Sequence, residues 1–401
     1  MMRHWSLCLL IAALLLVPGA PASALSKGGV ARALAREMAY AGSASGAVVV
    51  DLATGERIYS RRADTQRIPA SVEKLYTSVA ALSQFGDAGT LDTTALSTRP
   101  LSLNGTLDGN LYLRGGGDPA LSTARLETLA QALADAGLSR VTGRVIGDDS
   151  AFDRKRGVPS AGFRISVDVA PLGALMLNRG RTGYSSPFYQ ANPPAFAASA
   201  LARQLRDAGV KVAERGRAGS TPPGALALAA RRSPTMTSLL RLQNVPSDNY
   251  IAETLLKAVG MTDTRAGTTA RGAAVVRQVA REELDLRPRV SDGSGLSRNN
   301  RTSPREVTDL LAQKFEDDAF FGSLSVAGVS GTLRNRLRSS SARGRCRGKT
   351  GTLSDVSNLA GYCLTGGGDT LAFAILMNRV SPYSAHGWQD RMVNAIARYG
   401  R

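Results

Sequence analysis

Cys346-Arg347-Gly348-Lys349-Thr350-Gly351-Thr352-Leu353-Ser354-Asp355-Val356-Ser357-Asn358-Leu359-Ala360-Gly361-Tyr362-Cys363-Leu364 reads as two strand arms around one turn. If 346–350 and 358–364 are the arms of an antiparallel hairpin, its centre falls near Ser354 and Asp355, and Cys346 lies opposite Cys363. In an oxidising compartment the two sulfurs could pair and clamp the strand that carries Lys349. Two buried apolar cysteines are the other reading, because disulfide geometry is narrow. Working outward, 370–377 reads as a further strand, and 46–52 and 57–61 as two more around the turn Ala53-Thr54-Gly55-Glu56. The simplest topology joins these N- and C-terminal strands in one antiparallel sheet, with helices at 28–41, 250–257 and 387–399 covering it.

Two other strings precede Lys349-Thr350-Gly351, namely Ser71-Val72-Glu73-Lys74 and Ser247-Asp248-Asn249. A serine hydroxyl is a weak nucleophile at neutral pH and needs an adjacent base. Pro69-Ala70 followed by Val72, Leu75, Val79 and Leu82 reads as a helix start. Residues three apart share a helix face, so Ser71 and Lys74 meet across one turn. Lys74 can act as a base only if its pKa falls, which partial desolvation beside a second cation, Lys349, would achieve. Ser247 offers a hydroxyl to relay a proton to a leaving amine, and Asn249 an amide to align a peptide-like substrate. The backbone N–H of Ser71, at a helix N-terminus, stands where an oxyanion forms. Glu73 stays outside this chemistry, as an acid favoured by the helix dipole and facing away from Ser71.

Composition removes the main rivals. Residues 1–24 carry an early Arg3, an apolar run from Leu7 to Val17 and the small-residue end Ala22-Ser23-Ala24, which reads as a secretory signal peptide cleaved after Ala24. The apolar run is short for a bilayer span, and no other stretch suits a membrane helix. The expected location is therefore secreted, periplasmic or otherwise extracytoplasmic, beside the cell wall. Cleavage removes His4 and Cys8 and leaves His386 as the single histidine, in what reads as a loop leading into the last helix. One histidine and two cysteines give no familiar zinc spacing and no ready Ser-His-Asp triad, so neither metal nor cofactor is expected. The formal charge of +18 comes from 50 Lys and Arg against 32 Asp and Glu. It is spread along the chain without a basic helix or interleaved aromatics, so no nucleic-acid partner is expected; residence beside anionic wall polymers and an arginine abundance that reflects genome composition alone are the two readings left, and charge does not choose between them.

The middle of the chain has a different texture. Short alternating stretches at 107–113 and 141–146 are joined by Gly and Pro turns and two helical runs, 123–136 and 195–208. We read the chain as a signal peptide (1–24), a discontinuous catalytic domain (25–90 and 234–401) and an inserted smaller mixed domain (91–233), α/β (α+β) in class. The insertion places about 175 residues between the first two strings, whereas a class A β-lactamase holds them in one compact helical region. A β-lactamase also needs a deacylating glutamate. Glu282-Glu283-Leu284-Asp285 reads instead as the end of a helix before Arg287-Pro288.

With the three strings stand Leu113-Arg114-Gly115-Gly116-Gly117-Asp118-Pro119, Gly147-Asp148-Asp149-Ser150, Pro171-Leu172-Gly173-Ala174-Leu175-Met176, Asp292-Gly293-Ser294-Gly295-Leu296-Ser297-Arg298 and Val329-Ser330-Gly331-Thr332-Leu333. On these blocks nearly the whole mature chain resembles the low-molecular-mass penicillin-binding proteins of the D-alanyl-D-alanine carboxypeptidase/endopeptidase group, peptidase family S13. The resemblance implies a penicillin-binding-protein/β-lactamase-like transpeptidase domain acting on peptidoglycan stem peptides and trapped covalently by β-lactams. It implies that Ser71 forms the acyl-enzyme with Lys74 as base, that Ser247 and Lys349 shuttle the proton, and that Asn249 holds the substrate amide. Thr350 and Thr352 would bind the terminal carboxylate, within a substrate-binding strand that includes Gly351 and Leu353, and the N–H groups of Ser71 and Thr352 would form the oxyanion hole. Asp148 and Arg298 would hold the free end of a diaminopimelate side chain. The family's further small nested domain is missing, because Met176–Gly180 runs within a dozen residues into Asn192-Pro193-Pro194, which makes carboxypeptidase action the firmer expectation than endopeptidase action. The rival readings are a β-lactamase or esterase on the same scaffold, and a non-catalytic wall-binding relic.

Overall fold

The computed structural model describes residues 24–183 and 186–400. The expected signal peptide therefore lies, but for Ala24, outside the described residues. A six-stranded antiparallel sheet runs in the order Ser325–Val326, Cys346–Leu353, Val356–Leu364, Thr370–Asn378, Ser45–Asp51, Arg57–Arg61. Its centre is buried on both faces, and the side-chain period of two divides it. In Thr370–Asn378, Leu371, Phe373, Ile375 and Met377 join the core under the helices Lys27–Tyr40 and Pro382–Ala397. Ala372, Ala374 and Leu376 face the opposite core, shared with Lys74–Phe85, Met236–Asn244, Asn249–Val259, Thr269–Leu284 and Pro304–Gln313. The helix Lys74–Phe85 is buried all round from Lys74 to Leu82, not along one stripe as its spacing suggested. That placement makes it the centre of the helical layer.

The hairpin turns at Ser354 and Asp355: Leu353 pairs with Val356, and the register carries Cys346 opposite Cys363. Their sulfurs are bonded, with Cα atoms 4.0 Å apart.

Residues 93–231 build a second, five-stranded sheet in the order Arg217–Ala218, Val145–Asp148, Leu111–Gly115, Thr93–Ser97, Leu226–Arg231. Helices Thr123–Asp135 and Pro193–Asp207 share a third core with it. Two expected strands are each broken in two. Residues 107–113 divide into Thr106–Leu107 and Leu111–Gly115, and 141–146 into Arg140–Val141 and Val145–Asp148. Gly109 is the reason, since its φ of +129° turns the chain, and a Cβ on the facing Gly143 would lie 2.5 Å from the Gly109 carbonyl. The last helix begins at Pro382, so His386 is helical and not in a loop. Among the described residues, no helix is long and apolar enough to cross a membrane.

The disulfide closes a loop of sequence separation 17. The non-reduced mature chain, without Cys8, is expected to show no free thiol on denaturation, and the double substitution Cys346→Ala/Cys363→Ala to lower unfolding free energy by about 3 kcal/mol in urea titrations.

Candidate active site

Ser71 lies in a tight turn, Ala70–Glu73, that leads directly into the buried helix Lys74–Phe85. Ala70 has φ +47°, an unfavourable value for a residue with a Cβ, and its neighbours hold it there. Asn358 donates through Nδ2 to the carbonyls of Ile68 (2.9 Å) and Pro69 (2.7 Å), and Asn378 accepts from the Ile68 N–H (2.9 Å). Two sheet strands thus tie down the residues just before Ser71. The strand Cys346–Leu353 passes so close that a Cβ at Gly351 would lie 2.6 Å from the Pro69 carbonyl and 3.0 Å from the Ser71 nitrogen. On the other side a Cβ at Gly295, φ +86°, would meet the Ala70 carbonyl at 1.8 Å. Only glycine fits at either position.

Lys74 Nζ donates to Ser71 Oγ (2.8 Å), Asn249 Oδ1 (2.7 Å) and the Ser294 carbonyl (2.7 Å). Lys349 Nζ donates to Ser247 Oγ (2.7 Å) and the Thr350 carbonyl (2.8 Å). Both lysines are fully buried. Burial brings Lys74 down to about 8, against the upward pull of Asp292, Glu253 and other carboxylates. Burial, with the charge of Lys74 added, holds Lys349 well below the usual lysine range. Desolvation is therefore the main cause at Lys74, and the repulsion between the two ammonium groups is felt chiefly at Lys349. At neutral pH a share of Lys74, about a tenth, is neutral and able to take a proton from Ser71.

The Ser247-Asp248-Asn249 string reaches the cleft because Asp248 caps the helix Asn249–Val259, its carboxylate accepting the Ile251 N–H. Ser247, in the preceding turn, is held at φ +63°. Asn249 Nδ2 donates to the Asp168 carbonyl at 3.2 Å. The structure thus brings Ser71, Lys74, Ser247, Asn249, Lys349, Thr350 and Gly351 around one cleft. Thr350 Oγ1 donates to Thr332 Oγ1 (2.9 Å), while Thr352 and Leu353 continue the strand toward the hairpin turn. At that turn Arg298 donates to Ser354 Oγ (2.8 Å) and Asp355 Oδ1 (2.5 Å), half exposed.

Asp148 is placed differently from expectation. It is 1% exposed, and its carboxylate accepts the N–H groups of Ser150 (2.9 Å) and Thr221 (2.7 Å), so it is closed to a ligand. The acid of the inserted segment that does stand beside Asn249 is Asp168, whose residue is exposed. Glu73 also departs from expectation. It is fully buried, neither oxygen has a hydrogen-bond partner, and burial holds its carboxyl well above the usual range. A buried carboxyl in the core replaces the dipole-favoured surface carboxylate.

Sequence reasoning missed the support behind Lys74. Glu253 Oε1 accepts the N–H groups of Gly293 (3.1 Å) and Ser294 (2.8 Å), which aims the Ser294 carbonyl at Lys74. Asp292 braces the same loop from within, accepting from Gly295 N, Ser297 N and Asn300 Nδ2. Three donors on both oxygens favour charge on Asp292, whereas Glu253 leaves Oε2 buried and unpaired, where a proton can sit. Burial, then the charge of Asp292, pushes Glu253 upward in the same sense. The available signal was spacing, because Glu253 lies one helical turn after Asn249.

A family model described as the D-Ala-D-Ala carboxypeptidase 3 (S13) family matches residues 27–190 and 185–399. A D-alanyl-D-alanine carboxypeptidase of Actinomadura sp. (strain R39) is 31% identical, over 92% of this chain and 84% of its own length. The D-alanyl-D-alanine carboxypeptidase DacB of Haemophilus influenzae is 27% identical, over 85% of this chain and 86% of its own. The crystal structure of penicillin binding protein 4 (dacB) from the same organism superposes with a TM-score of 0.78 at 22% identity, covering 91% of this chain and 99% of that one, and shares the fold.

Because Glu253 holds a proton near neutrality, Glu253→Gln is expected to change the rate of penicillin acylation by less than about threefold. Glu253→Ala strands the Gly293 and Ser294 N–H groups in the core, at about 1–3 kcal/mol, and is expected to slow acylation about tenfold or more. Stopped-flow acylation rates check both; a large loss in Glu253→Gln would show that the carboxylate charge is what matters.

Proposed function

The chain belongs to the D-Ala-D-Ala carboxypeptidase 3 (S13) family, and from that premise we propose how its cleft removes the terminal D-alanine of peptidoglycan stem peptides. It is a serine-type D-Ala-D-Ala carboxypeptidase. The observation that carries the mechanism is the pair of contacts from buried lysines, Lys74 Nζ–Ser71 Oγ and Lys349 Nζ–Ser247 Oγ, across one cleft. Neutral Lys74 takes the Ser71 proton as Oγ attacks the carbonyl of the penultimate residue. Charge gathers on the carbonyl oxygen between the N–H groups of Ser71 and Thr352. The proton passes through Ser247, held by Lys349, to the leaving nitrogen as the C–N bond breaks, and D-alanine departs. Water then attacks the acyl-enzyme, Lys74 takes its proton, and Ser71 leaves with a proton restored.

Substrate alignment follows from the same geometry. Asn249 spends Oδ1 on Lys74 and has Nδ2 for the substrate carbonyl, exchanging its bond to Asp168. Thr350 and Thr352 receive the terminal carboxylate, along the strand that contains Gly351 and Leu353. Arg298 takes the carboxylate at the free end of a diaminopimelate side chain, and Asp168, not Asp148, takes its ammonium group. We place this activity outside the cytoplasm, assign residues 25–90 and 234–401 to the catalytic domain and 91–233 to the insertion, and include cleavage of D-Ala to diaminopimelate cross-links. β-Lactams acylate Ser71 and leave slowly.

Release of D-alanine from a pentapeptide, with covalent labelling by a fluorescent penicillin, tests the reading; both are expected to vanish in Ser71→Ala, and equal labelling of that variant would sink it. Lys74 sets the pH dependence. Its folded pKa of about 8 lies below the ordinary 10.5, so acylation is expected to fall about tenfold per pH unit below pH 8 and to level off above it. For stability the sign is the same. The folded state binds fewer protons than the unfolded chain between about 8 and 10.5, so the destabilisation from burying Lys74, full below that window, is relieved as pH rises through it.

A further inference from the structure

The helices Lys27–Tyr40 and Pro382–Ala397 cover the sheet face away from Lys74, and two adjoining hollows of about 620 and 480 Å³ open there. The first follows the seam between the two helices and is lined by Arg32, Arg36, Arg391 and Arg398. The second shares Arg398 with it and adds Arg343 and Arg345. Three stretches far apart in sequence thus bring six guanidinium groups to one surface. Among the described residues, no acid lines either hollow. Diffuse basic composition does not account for such a gathering, because like charges repel unless something holds them.

Two of the six are held by a brace from below. Glu37, 2% exposed, accepts from Arg36 Nε (3.2 Å) through one oxygen, and from Arg391 Nε (2.9 Å) and Nη2 (2.8 Å) through the other. Both guanidinium groups are thereby fixed at the seam. Four residues beyond Arg36 on the same helix face, Tyr40 is 65% exposed and lies against Trp388, with ring centres 6.2 Å apart and planes 19° from parallel. The seam follows the helix for about 20 Å, with arginines along it and an aromatic pair at one end. An elongated cationic track of this kind fits a linear polyanion. Guanidinium groups pair with carboxylate and phosphate alike, and the charge pattern separates the two. A stem peptide ending in diaminopimelate carries ammonium groups beside its carboxylates, whereas six cations with no acid lining their hollows match a chain with one negative charge on every unit. Hollows in the range of small-molecule sites, roughly 300–1,000 Å³, also exceed a bare phosphate and have room for the spacer that follows it.

We infer that this face binds a phosphodiester polymer with polyol or sugar spacers, the six arginines pairing with successive phosphates while Tyr40 offers an apolar flank to a spacer. The site lies across the sheet from Ser71, so polymer and stem peptide bind at the same time. It acts as a tether that keeps the enzyme beside its substrate, and it stands apart from the reading of the cleft.

The test titrates the purified mature protein with synthetic poly(glycerol phosphate) at low salt. In Arg32→Glu/Arg345→Glu the Kd is expected to rise about tenfold or more, since two contacts become repulsions. Arg215→Glu/Arg217→Glu makes the same charge change on an edge strand of the inserted sheet, and is expected to shift the Kd by less than about twofold. Thermal melting reports whether each variant is folded; if the first is not, the single Arg345→Gln is read in its place, with about a threefold rise expected. Equal weakening by the two double variants overturns the inference, because it marks the overall charge of +18 and no site. A wild type that leaves poly(glycerol phosphate) unbound, or binds polyglutamate as tightly, overturns it too. So does tighter binding, per phosphate, of duplex DNA or of phosphatidylglycerol vesicles.

Discussion

Two ammonium groups held out of water in one cleft govern the rest of the molecule. A buried lysine is tolerated only where acceptors surround it, and Lys74 finds its three on three separate pieces of chain: the turn at Ser71, the start of the helix Asn249–Val259, and the loop at Ser294. Each acceptor must itself be fixed, and the buried polar contacts radiate from that need. Glu253 and Asp292 hold the Ser294 loop; Asp248 caps the helix that presents Asn249. Burial alone would drive Lys74 further down than serves a base, and the charge of Asp292 behind it pulls back, leaving it near 8. Reactivity is thus set by a contest between desolvation and a rear wall of acids.

Steric closeness sets the second constraint. The Ser71 turn is squeezed between Gly351 on the strand and Gly295 on the loop, and neither has room for a methyl group. Such spacing survives only on a stiff support. The strand carrying Lys349 is paired along its length to Val356–Leu364 and bonded to it at Cys346. That partner strand supplies Asn358, which grips Ile68 and Pro69. Ser71, Thr350 and Thr352 are therefore referred to one rigid hairpin.

What was legible in the chain was what is local. Ser71 and Lys74 sit one turn apart, and the turn at Ser354-Asp355 sets a register that puts Cys346 opposite Cys363; both follow from spacing alone. Five of the six strands of the main sheet were readable because they alternate between two cores; the edge strand Ser325–Val326, two residues long, carried no such pattern. What failed depended on distant chain. Glu73 follows a helix-start signal, but whether it meets solvent or the Glu253 and Asp292 carboxyls is decided by packing hundreds of residues away in sequence. Asp148 looked free, yet the Thr221 N–H, 73 positions on, occupies its carboxylate. Glu253 and Ser294 form a pair only after the loop 292–298 folds onto the helix. Strand continuity across Gly109 failed for another reason, since a positive φ at one glycine cannot be read from polarity.

The insertion is best understood as a wall of the cleft. Lys257, fully buried, donates to Asp153 (2.6 Å) and to the Lys155 carbonyl (2.7 Å), which locks the inserted chain to the far end of the helix that begins at Asn249. At the near end Arg179 donates to Asp248 (2.6 Å) and lies over the Tyr250 ring, 4.7 Å from its centre. Arg179 and Asn178 both adopt left-handed backbone, φ +57° and +51°, at a cost of about 1–3 kcal/mol each. Asn178 is held by a reciprocal pair of bonds to Thr123, and Arg179 by the carboxylate that caps the catalytic helix. The strained turn is stable only while both partners are present, so the insertion's fold and the orientation of Asp248 depend on one another. Separation by about 175 residues in sequence therefore becomes contact in space, with the inserted chain helping to aim the Ser247-Asp248-Asn249 string at Lys74.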